Sequence, residues 1–237
     1  MRSGKGNNSR FELSQSHLRG PVATRLLDRR VADLSHLAVN MGHMAQTDVR
    51  AALDIETSGL NPSTDRILAV AIDTGPSVSS RVSDNERDLL RWINQVIESL
   101  PEDAKIVTWN GEEFDLPFLK KRFAVHGIPT SLQLEPRHET GKYGNPLFKA
   151  VWGRRRHWDI APTFRRIAEE RSVKWSLKPV ARALLHTEPL EVDRRGSSIS
   201  AMSTEALQAY VESDAKTTQT LCRWLADHKE EVPTATI

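Results

Sequence analysis

Cysteine is nearly absent from this chain, and its scarcity excludes several classes of protein. Cys222 is the single cysteine among 237 residues, so neither an intrachain disulfide framework nor a zinc site built on cysteine pairs can form. No apolar run reaches the roughly 20 residues that a membrane-spanning helix needs, and the N-terminus lacks the apolar core of a secretory signal. These features predict a protein of the reducing cytoplasm that does not associate with membranes.

The chain also lacks a large excess of positive or negative charge. The formal net charge is only +2, and residues 1–50 carry eight Lys or Arg against four Asp or Glu, which leaves 25 against 27 for the rest. A slightly acidic body is compatible with nucleic acid, because bound divalent cations would offset part of a carboxylate cluster. The length suits one domain of about 180 to 190 residues with an extension, and a second large domain does not fit.

Composition divides the chain into an extension, a body and a tail. Residues 1–47 are a basic extension: its first part has too little apolar content to fold, and apolar residues recur at helical spacing over 21–40. Three interpretations of that helix stay open. The first is that it packs on the domain, and the second is that it lies upstream of the true start of the protein at Met41 or Met44. The third is that it serves targeting or partner binding. The body is expected over 48–230 and the tail over 231–237, and no motif identifies a protein partner.

Hydrophobic periodicity predicts an α/β body, a mixed sheet flanked by helices. Strands are expected at residues 49–56, 66–73, 77–83 and 105–109, the first three as an antiparallel meander. Helices are expected at 84–100, 114–126, 160–170, 176–186 and 203–229. A capping box from Ser83 to Glu86 would begin the first of these helices.

Two carboxylates end the apolar strand Ala51-Ala52-Leu53-Asp54-Ile55-Glu56-Thr57. Side chains alternate between the faces of a strand, so Asp54 and Glu56 share one face while Ile55 packs on the other. Hard divalent ions such as Mg²⁺ bind one or two carboxylates together with substrate phosphates. The same spacing recurs at Asp84/Glu86, Glu113/Asp115, Glu191/Asp193 and Glu212/Asp214, but only the first pair follows an apolar run. The alternative is a strand end that turns into a solvated loop.

Two further acidic sites lie downstream. Asp115 falls near the start of a helix, after a second apolar strand that runs into a turn, and a simple helix cap is the alternative. Tyr210 and Asp214 lie one turn apart on a single face of the last predicted helix. Here the alternative is a half-buried tyrosine beside a solvated aspartate.

The order Asp-x-Glu, Asn-x-x-x-Phe-Asp and Tyr-x-x-x-Asp over residues 50–228 resembles the three motifs of DEDD-superfamily 3'-5' exonucleases. Ala209 replaces the histidine of the other branch of the superfamily, which places the chain in the tyrosine branch. This branch includes the proofreading domains of family B DNA polymerases and, more distantly, RNase D. Trp158-Asp159-Ile160 is similar to a short family B motif, although nothing resembles a polymerase palm or fingers. The resemblance therefore implies an RNase H-like fold and a free-standing exonuclease.

The resemblance also implies roles for individual residues. Two divalent ions, Mg²⁺ or Mn²⁺, would be held by Asp54, Glu56, Asp115 and Asp214, with Asp54 contacting both ions. Tyr210 would orient the attacking water. The terminal nucleotide would be positioned by Thr57, Leu60, Asn110 and Phe114, with Leu60 in apolar contact with its base.

Residues 134–158 are expected to be irregular, and they combine basic with aromatic side chains. Cations neutralise phosphates and aromatic rings stack on bases, so Arg154, Arg155, Arg156 and Trp158 are candidates for a single-stranded nucleic-acid path. A solvated basic loop whose aromatic residues pack on the core is the alternative.

These observations predict a metal-dependent 3'-5' exonuclease that releases nucleoside monophosphates from single-stranded DNA ends. An RNase D-like exoribonuclease is one alternative, because no motif reports the contacts near the 2' position that distinguish RNA from DNA. A catalytically inactive nucleic-acid-binding module on the same fold is another. The complete set of acidic residues and tyrosine argues against the inactive module.

Overall fold

The computed structural model describes residues 48–192 and 199–228. The amphipathic helix predicted at residues 21–40 and the tail predicted at 231–237 both lie outside these ranges. Within the described ranges, no helix has both the length and the apolar character that crossing a bilayer requires.

Seven strands of the described residues form one mixed sheet. They are β1 (Arg50–Thr57), β2 (Ile67–Asp73), β3 (Val78–Val82), β4 (Lys105–Thr108), β5 (Leu132–Thr140), β6 (Pro146–Trp152) and β7 (Arg155–Asp159). Their spatial order is β3-β2-β1-β4-β7-β6-β5. The central strands β1, β4 and β7 are parallel, whereas the outer neighbours pair antiparallel. The predicted meander of the first three strands is confirmed, and the C-terminal ends of β1, β4 and β7 share one edge.

The helices flank this sheet. Among the described residues they are α1 (Glu86–Ser99), α2 (Asp115–Val125), α3 (Arg165–Glu170), α4 (Leu177–Leu185) and α5 (Thr204–Asp227). Each overlaps a predicted helix, although the one expected at 160–170 divides into a 3-10 turn at Pro162–Phe164 and α3. Ser203 caps α5, because its side chain accepts a hydrogen bond from the Ala206 amide. These elements confirm the predicted α/β architecture.

The predicted capping box at the start of α1 is wrong. Asn85 is the N-cap residue, and the Glu86 carboxylate turns into the protein. There Glu86 accepts hydrogen bonds from Arg122 Nε at 2.8 Å and from the Ile67 amide at 2.8 Å. An ion pair with Arg122 and a backbone donor outcompete the exposed cap, because a buried carboxylate needs such partners.

The expected irregular segment 134–158 is also wrong, because β5, β6 and β7 occupy most of it. Strand β5 is hard to recognise in the sequence, since eight of its nine residues are not buried. Leu132 enters the core, and Leu134 packs against it. Backbone hydrogen bonds to β6 hold this edge strand. A strand with two largely solvated faces lacks the apolar alternation by which strands are recognised.

The two faces of β1 meet different layers. Leu53 and Ile55 join the core cluster that includes Leu89 and Leu116 of α1 and α2. On the other face Asp54 pairs with Ala71 of β2 and Glu56 with Ala69, and these alanines pack against α5 residues. Alanine side chains end at Cβ, so α5 approaches the sheet closely here. This close approach brings α5 next to the two acidic side chains of β1.

Candidate active site

Three carboxylates meet near the C-terminal end of β1. Asp54 and Glu56 come from β1, and Asp214 comes from α5. One carboxylate oxygen from each residue lies within 4.8 Å of the others. The structure therefore brings together three of the four acidic residues that the sequence predicts as metal ligands, from a strand and a helix far apart in the chain.

These residues fit a hard divalent cation. Asp54 Oδ2 is buried and has no hydrogen-bond partner among the described residues, an arrangement that is costly without a ligand. The group offers carboxylate oxygens alone, which suits Mg²⁺ or Mn²⁺ better than metals that prefer nitrogen or sulfur. A cation bound here would satisfy the Asp54 oxygen and offset the repulsion within the group.

Electrostatics also indicate a cation site. Burial raises the pKa of Asp54 well above its ordinary value, and the charges of Asp214, Asp115 and Glu56 raise it further. The nearby ammonium of Lys178 acts in the opposite direction. An ionised Asp54 is therefore unfavourable unless more positive charge is present than Lys178 supplies.

Asp115 occupies the first position of α2 and is 5% exposed. Burial raises the pKa of Asp115 to about 7, and the charge of Asp159 contributes to the increase. Asp115 lies outside the group of three carboxylates that share a ligand distance. Its charge nevertheless raises the pKa of Asp54, so it belongs to the same electrostatic site.

Asp159 fixes the turn that leads to Asp115. Its carboxylate accepts hydrogen bonds from the backbone amides of Asn110 at 2.8 Å, Glu112 at 3.1 Å and Ala161 at 3.0 Å. Asn110 has a φ of 69°, in the left-handed region that asparagine tolerates better than most residues. The Trp158-Asp159-Ile160 segment is recognisable in the sequence, but this role of Asp159 is not. Two of its three partners lie in the turn between β4 and α2, far from Asp159 in the chain.

Graded substitutions of Asp159 should reveal this anchoring. Asp159→Asn keeps an oxygen that can accept two of the three bonds, whereas Asp159→Ala leaves all three amides without it. We expect the free energy of unfolding to fall in the order wild type, Asn, Ala, with about 1–3 kcal/mol for each amide left unsatisfied. Urea denaturation measures it, with exposed Asp103→Ala as the control. Equal stability of Asp159→Ala and wild type would show that the anchor is not needed.

Lys178 is a site residue that the sequence analysis missed. It lies in the first turn of α4, with its Nζ 3.1 Å from Asp214 Oδ1 and 3.9 Å from the centroid of the Tyr210 ring. Tyr210 is 3% exposed, so it is buried more deeply than the half-buried alternative supposed. No local spacing marks Lys178, since its partners are on α5. A lysine in the first turn of a helix is too common to indicate a functional site.

The four predicted substrate residues border the same edge of the sheet. Thr57 ends β1, and its hydroxyl donates to the Gly59 carbonyl at 2.7 Å. Leu60, on the loop that follows, is 81% exposed and so is open to a ligand. Asn110 and Phe114 lie in the turn between β4 and α2, where Phe114 also packs on Phe118. Their contact with a nucleotide stays a prediction.

The predicted nucleic-acid path is wrong for Arg155 and Trp158. The Arg155 guanidinium is buried and donates to the carbonyls of Glu98 and Leu100, and Trp158 is partly buried, packed against the core with its ring centroid 5.8 Å from Arg50 Cζ. Arg154 pairs with Glu102 at 2.7 Å. Arg154 and Arg156 lie near the N-terminal end of β7, whereas Asp159 lies at its C-terminal end. Because β7 is parallel to β4 and β1, these arginines lie away from the acidic edge.

Comparison with known proteins places this arrangement in a family. A sequence profile of the RNase H superfamily matches residues 51–226. The chain belongs to the RNase H superfamily. Among curated relatives, a DNA polymerase of Methanocaldococcus jannaschii is 32% identical over 108 residues, 46% of this chain and 6% of that protein. The catalytic polypeptide of DNA polymerase epsilon from Dictyostelium discoideum is 28% identical over 145 residues, 61% of this chain and 6% of that protein.

A solved structure shares the fold of this RNase H superfamily member. The family B DNA polymerase of Pyrobaculum calidifontis superimposes with a TM-score of 0.58 at 21% identity, covering 78% of this chain and 25% of the polymerase. The predicted RNase H-like fold is confirmed, and the domain resembles the DEDD-type proofreading exonuclease of family B polymerases. These findings support a nuclease of the RNase H-like superfamily that binds nucleic acid. The match spans a small fraction of the relatives, so their whole activities are not carried over.

Proposed function

We propose that residues 48–230 form a metal-dependent 3'-5' exonuclease domain that hydrolyses phosphodiester bonds at single-stranded DNA ends and releases nucleoside monophosphates. The observation that carries the proposal is the convergence of Asp54, Glu56 and Asp214, with the buried Tyr210 one turn from Asp214. DNA is favoured because the relatives described above are DNA polymerases. A cytoplasmic location, and residues 1–47 as a separate extension, remain parts of the proposal.

The acidic residues would hold two divalent ions, Mg²⁺ or Mn²⁺. We assign Asp54 to both ions, and the remaining ligands would be Glu56, Asp115 and Asp214. When bound, such ions activate water for attack and stabilise the charge on the departing 3' oxygen. The chain itself would grip the terminal nucleotide through Thr57, Leu60, Asn110 and Phe114.

Tyr210 and Lys178 act together in this proposal. The Tyr210 hydroxyl would orient the attacking water toward the terminal phosphate. The Lys178 ammonium lies against the Tyr210 ring and 3.1 Å from Asp214 Oδ1, so it stabilises the ionised form of Asp214 and restricts the ring. A positive charge held here also favours the additional negative charge of a phosphate that enters the site.

The alternatives predict different outcomes with nucleic-acid substrates. Matched DNA and RNA oligonucleotides labelled at the 5' end, with Mg²⁺ or Mn²⁺, report both polarity and sugar preference. We expect a ladder of shortened DNA that EDTA abolishes and that a blocked 3' end prevents. Faster shortening of the RNA would favour the RNase D-like alternative. Binding without any cleavage, in either metal, would favour the inactive module.

The carboxylate repulsion predicts a pH-dependent effect of Asp54→Asn on metal-free protein. A carboxyl whose folded-state pKa is raised keeps its proton longer when folded, so its contribution to the free energy of unfolding falls as pH rises through that window. Removing the Asp54 charge should therefore stabilise the protein more at about pH 8 than at about pH 5. The comparison between variants is needed because His157, whose pKa burial lowers to about 3, acts in the opposite direction.

Thermal unfolding in EDTA measures this effect, and the addition of Mn²⁺ provides the second half of the test. Metal that binds the folded state raises the unfolding temperature, so wild type should gain stability at the higher pH and Asp54→Asn should gain much less. If Asp54→Asn raises the unfolding temperature in EDTA more at about pH 5 than at about pH 8, the assigned repulsion is contradicted.

A further inference from the structure

The turn that joins β5 and β6, residues 141–145, is fixed on the loop that leads to α2. Glu113 Oε1 accepts hydrogen bonds from the Tyr143 amide at 2.7 Å and from the Asn145 amide at 3.3 Å. A Cβ built on Gly141 would lie 2.3 Å from the Glu113 carboxylate, so only glycine allows this approach. The hairpin turn is therefore held two residues before Asp115, beside the acidic site.

The same turn also contacts the segment that leads to α4. Lys142 Nζ donates to the backbone carbonyl of Trp175 and lies 5.0 Å from the centroid of its ring. Trp175 is itself anchored, because its indole N–H donates to the Ala161 carbonyl at 2.7 Å. Trp175 lies three residues before Lys178, which contacts Asp214. The hairpin turn thus lies next to two of the segments that supply site residues, the loop before Asp115 and the start of α4.

Cations and aromatic rings alternate on this surface. The Arg165 guanidinium carbon is 5.4 Å from the centroid of the Trp175 ring, and Lys142 Nζ is 5.5 Å from that of Tyr143. Tyr143 is 68% exposed, so its ring is not part of the packed core and is open to a ligand. We call Lys142, Tyr143, Arg165 and Trp175 the tip surface.

The charge of the tip surface suits an anion. Partial burial lowers the pKa of Lys142, and repulsion from the Lys174 charge lowers it further. Glu113, whose Oε1 accepts hydrogen bonds from the turn amides, offsets part of the charge on Lys142, and Glu169 lies 3.2 Å from Arg165. A phosphate near Lys142 and Lys174 would relieve their repulsion.

We propose that the tip surface binds the single strand that leads into the active site, with a base stacked on Tyr143 and a phosphate on Lys142. The proposal rests on the proposed nuclease function and names the surface that would hold its substrate. Single strands without sequence specificity are held in this way, by aromatic faces that stack on bases and by cations that follow the backbone. Tyr143 and Leu60 are two of the four large apolar side chains most exposed in the described residues, and both border this edge.

Binding and turnover test the proposal separately. Wild type, Tyr143→Ala, Tyr143→Phe and Lys142→Ala are compared by fluorescence anisotropy with a labelled single-stranded DNA oligonucleotide in EDTA, where cleavage does not occur. Arg91→Ala, which removes an exposed cation on α1, is the control. Turnover is measured with the same oligonucleotide and with the p-nitrophenyl ester of thymidine 5'-monophosphate, which carries one nucleotide and no strand beyond it.

We expect Tyr143→Ala to weaken binding by about 5- to 150-fold, because stacking contributes about 1–3 kcal/mol per base, while Tyr143→Phe stays near wild type. Lys142→Ala should reduce the slope of log Kd against log salt by about 0.7, the value for one phosphate of a single strand. Arg91→Ala should change neither quantity. Hydrolysis of the ester should be unchanged in every tip variant, whereas the KM for the oligonucleotide rises.

Unchanged binding by Tyr143→Ala would overturn the proposal. Equal loss of ester and oligonucleotide turnover would also overturn it, because the turn would then only support the catalytic loop. If wild type hydrolyses neither substrate, the proposed nuclease function fails instead. The anisotropy comparison in EDTA still decides whether the tip surface binds a single strand.

Discussion

Asp54→Ala is expected to abolish turnover while leaving the protein folded. Asp54 is the residue assigned to both ions, and its carboxylate makes no hydrogen bond through the buried Oδ2 atom. Loss of several kcal/mol of transition-state stabilisation corresponds to a rate lower by about 10³-fold or more. Single-turnover cleavage of a 5'-labelled oligonucleotide measures the rate, and circular dichroism confirms the fold.

The control for Asp54→Ala is a carboxylate of the same type outside the site. Asp103, in the exposed connection before β4, serves this purpose, and Asp103→Ala should cleave at the wild-type rate. A well-folded Asp54→Ala that keeps more than a few per cent of wild-type turnover would contradict the two-metal assignment.

Tyr210→Phe tests the tyrosine branch of the family rather than the presence of metal. Removing one oxygen should leave the ions, the substrate contacts and the fold in place, because Lys178 contacts the face of the ring, which phenylalanine keeps. A positioned group of this kind contributes about 10² to 10⁴-fold to the rate. The rate of the chemical step should fall by that amount with substrate affinity nearly unchanged.

Single-turnover kinetics at saturating enzyme separate these effects. A fall in rate together with an equal fall in affinity would indicate that the hydroxyl binds the substrate itself rather than only orienting the attacking water. Cleavage at wild-type speed would show that Tyr210 is only a buried residue of α5, and the assignment to the tyrosine branch would then rest on spacing alone.

The parts of the site that local spacing determines were predictable from the sequence. Asp54 and Glu56 are two positions apart in a strand, and Tyr210 and Asp214 are four apart in a helix, so each pair must share a face whatever the rest of the fold does. Their meeting depends on Ala69 and Ala71, which let α5 approach the sheet. The role of these alanines could be recognised only once β2 was paired with β1.

Lys178 and Asp159 could not be found in this way, because their partners lie in other segments. Lys178 acts on α5 from α4, and Asp159 holds a turn that follows a neighbouring strand. Arg155 shows the reverse error. It belongs to a basic run in the sequence, but the carbonyls of Glu98 and Leu100 bind its guanidinium inside the protein. Composition indicates which groups are present, and only packing decides where they point.

The most direct test of the central claim is anomalous diffraction from crystals grown with Mn²⁺ and a nucleoside 5'-monophosphate. Mn²⁺ scatters anomalously and accepts the same oxygen ligands as Mg²⁺. The account predicts two manganese peaks bound by Asp54, with Glu56 and Asp214 at one of them and Asp115 near the other. Manganese bound elsewhere, with no peak at Asp54, would contradict a metal-dependent nuclease centre at this edge of the sheet.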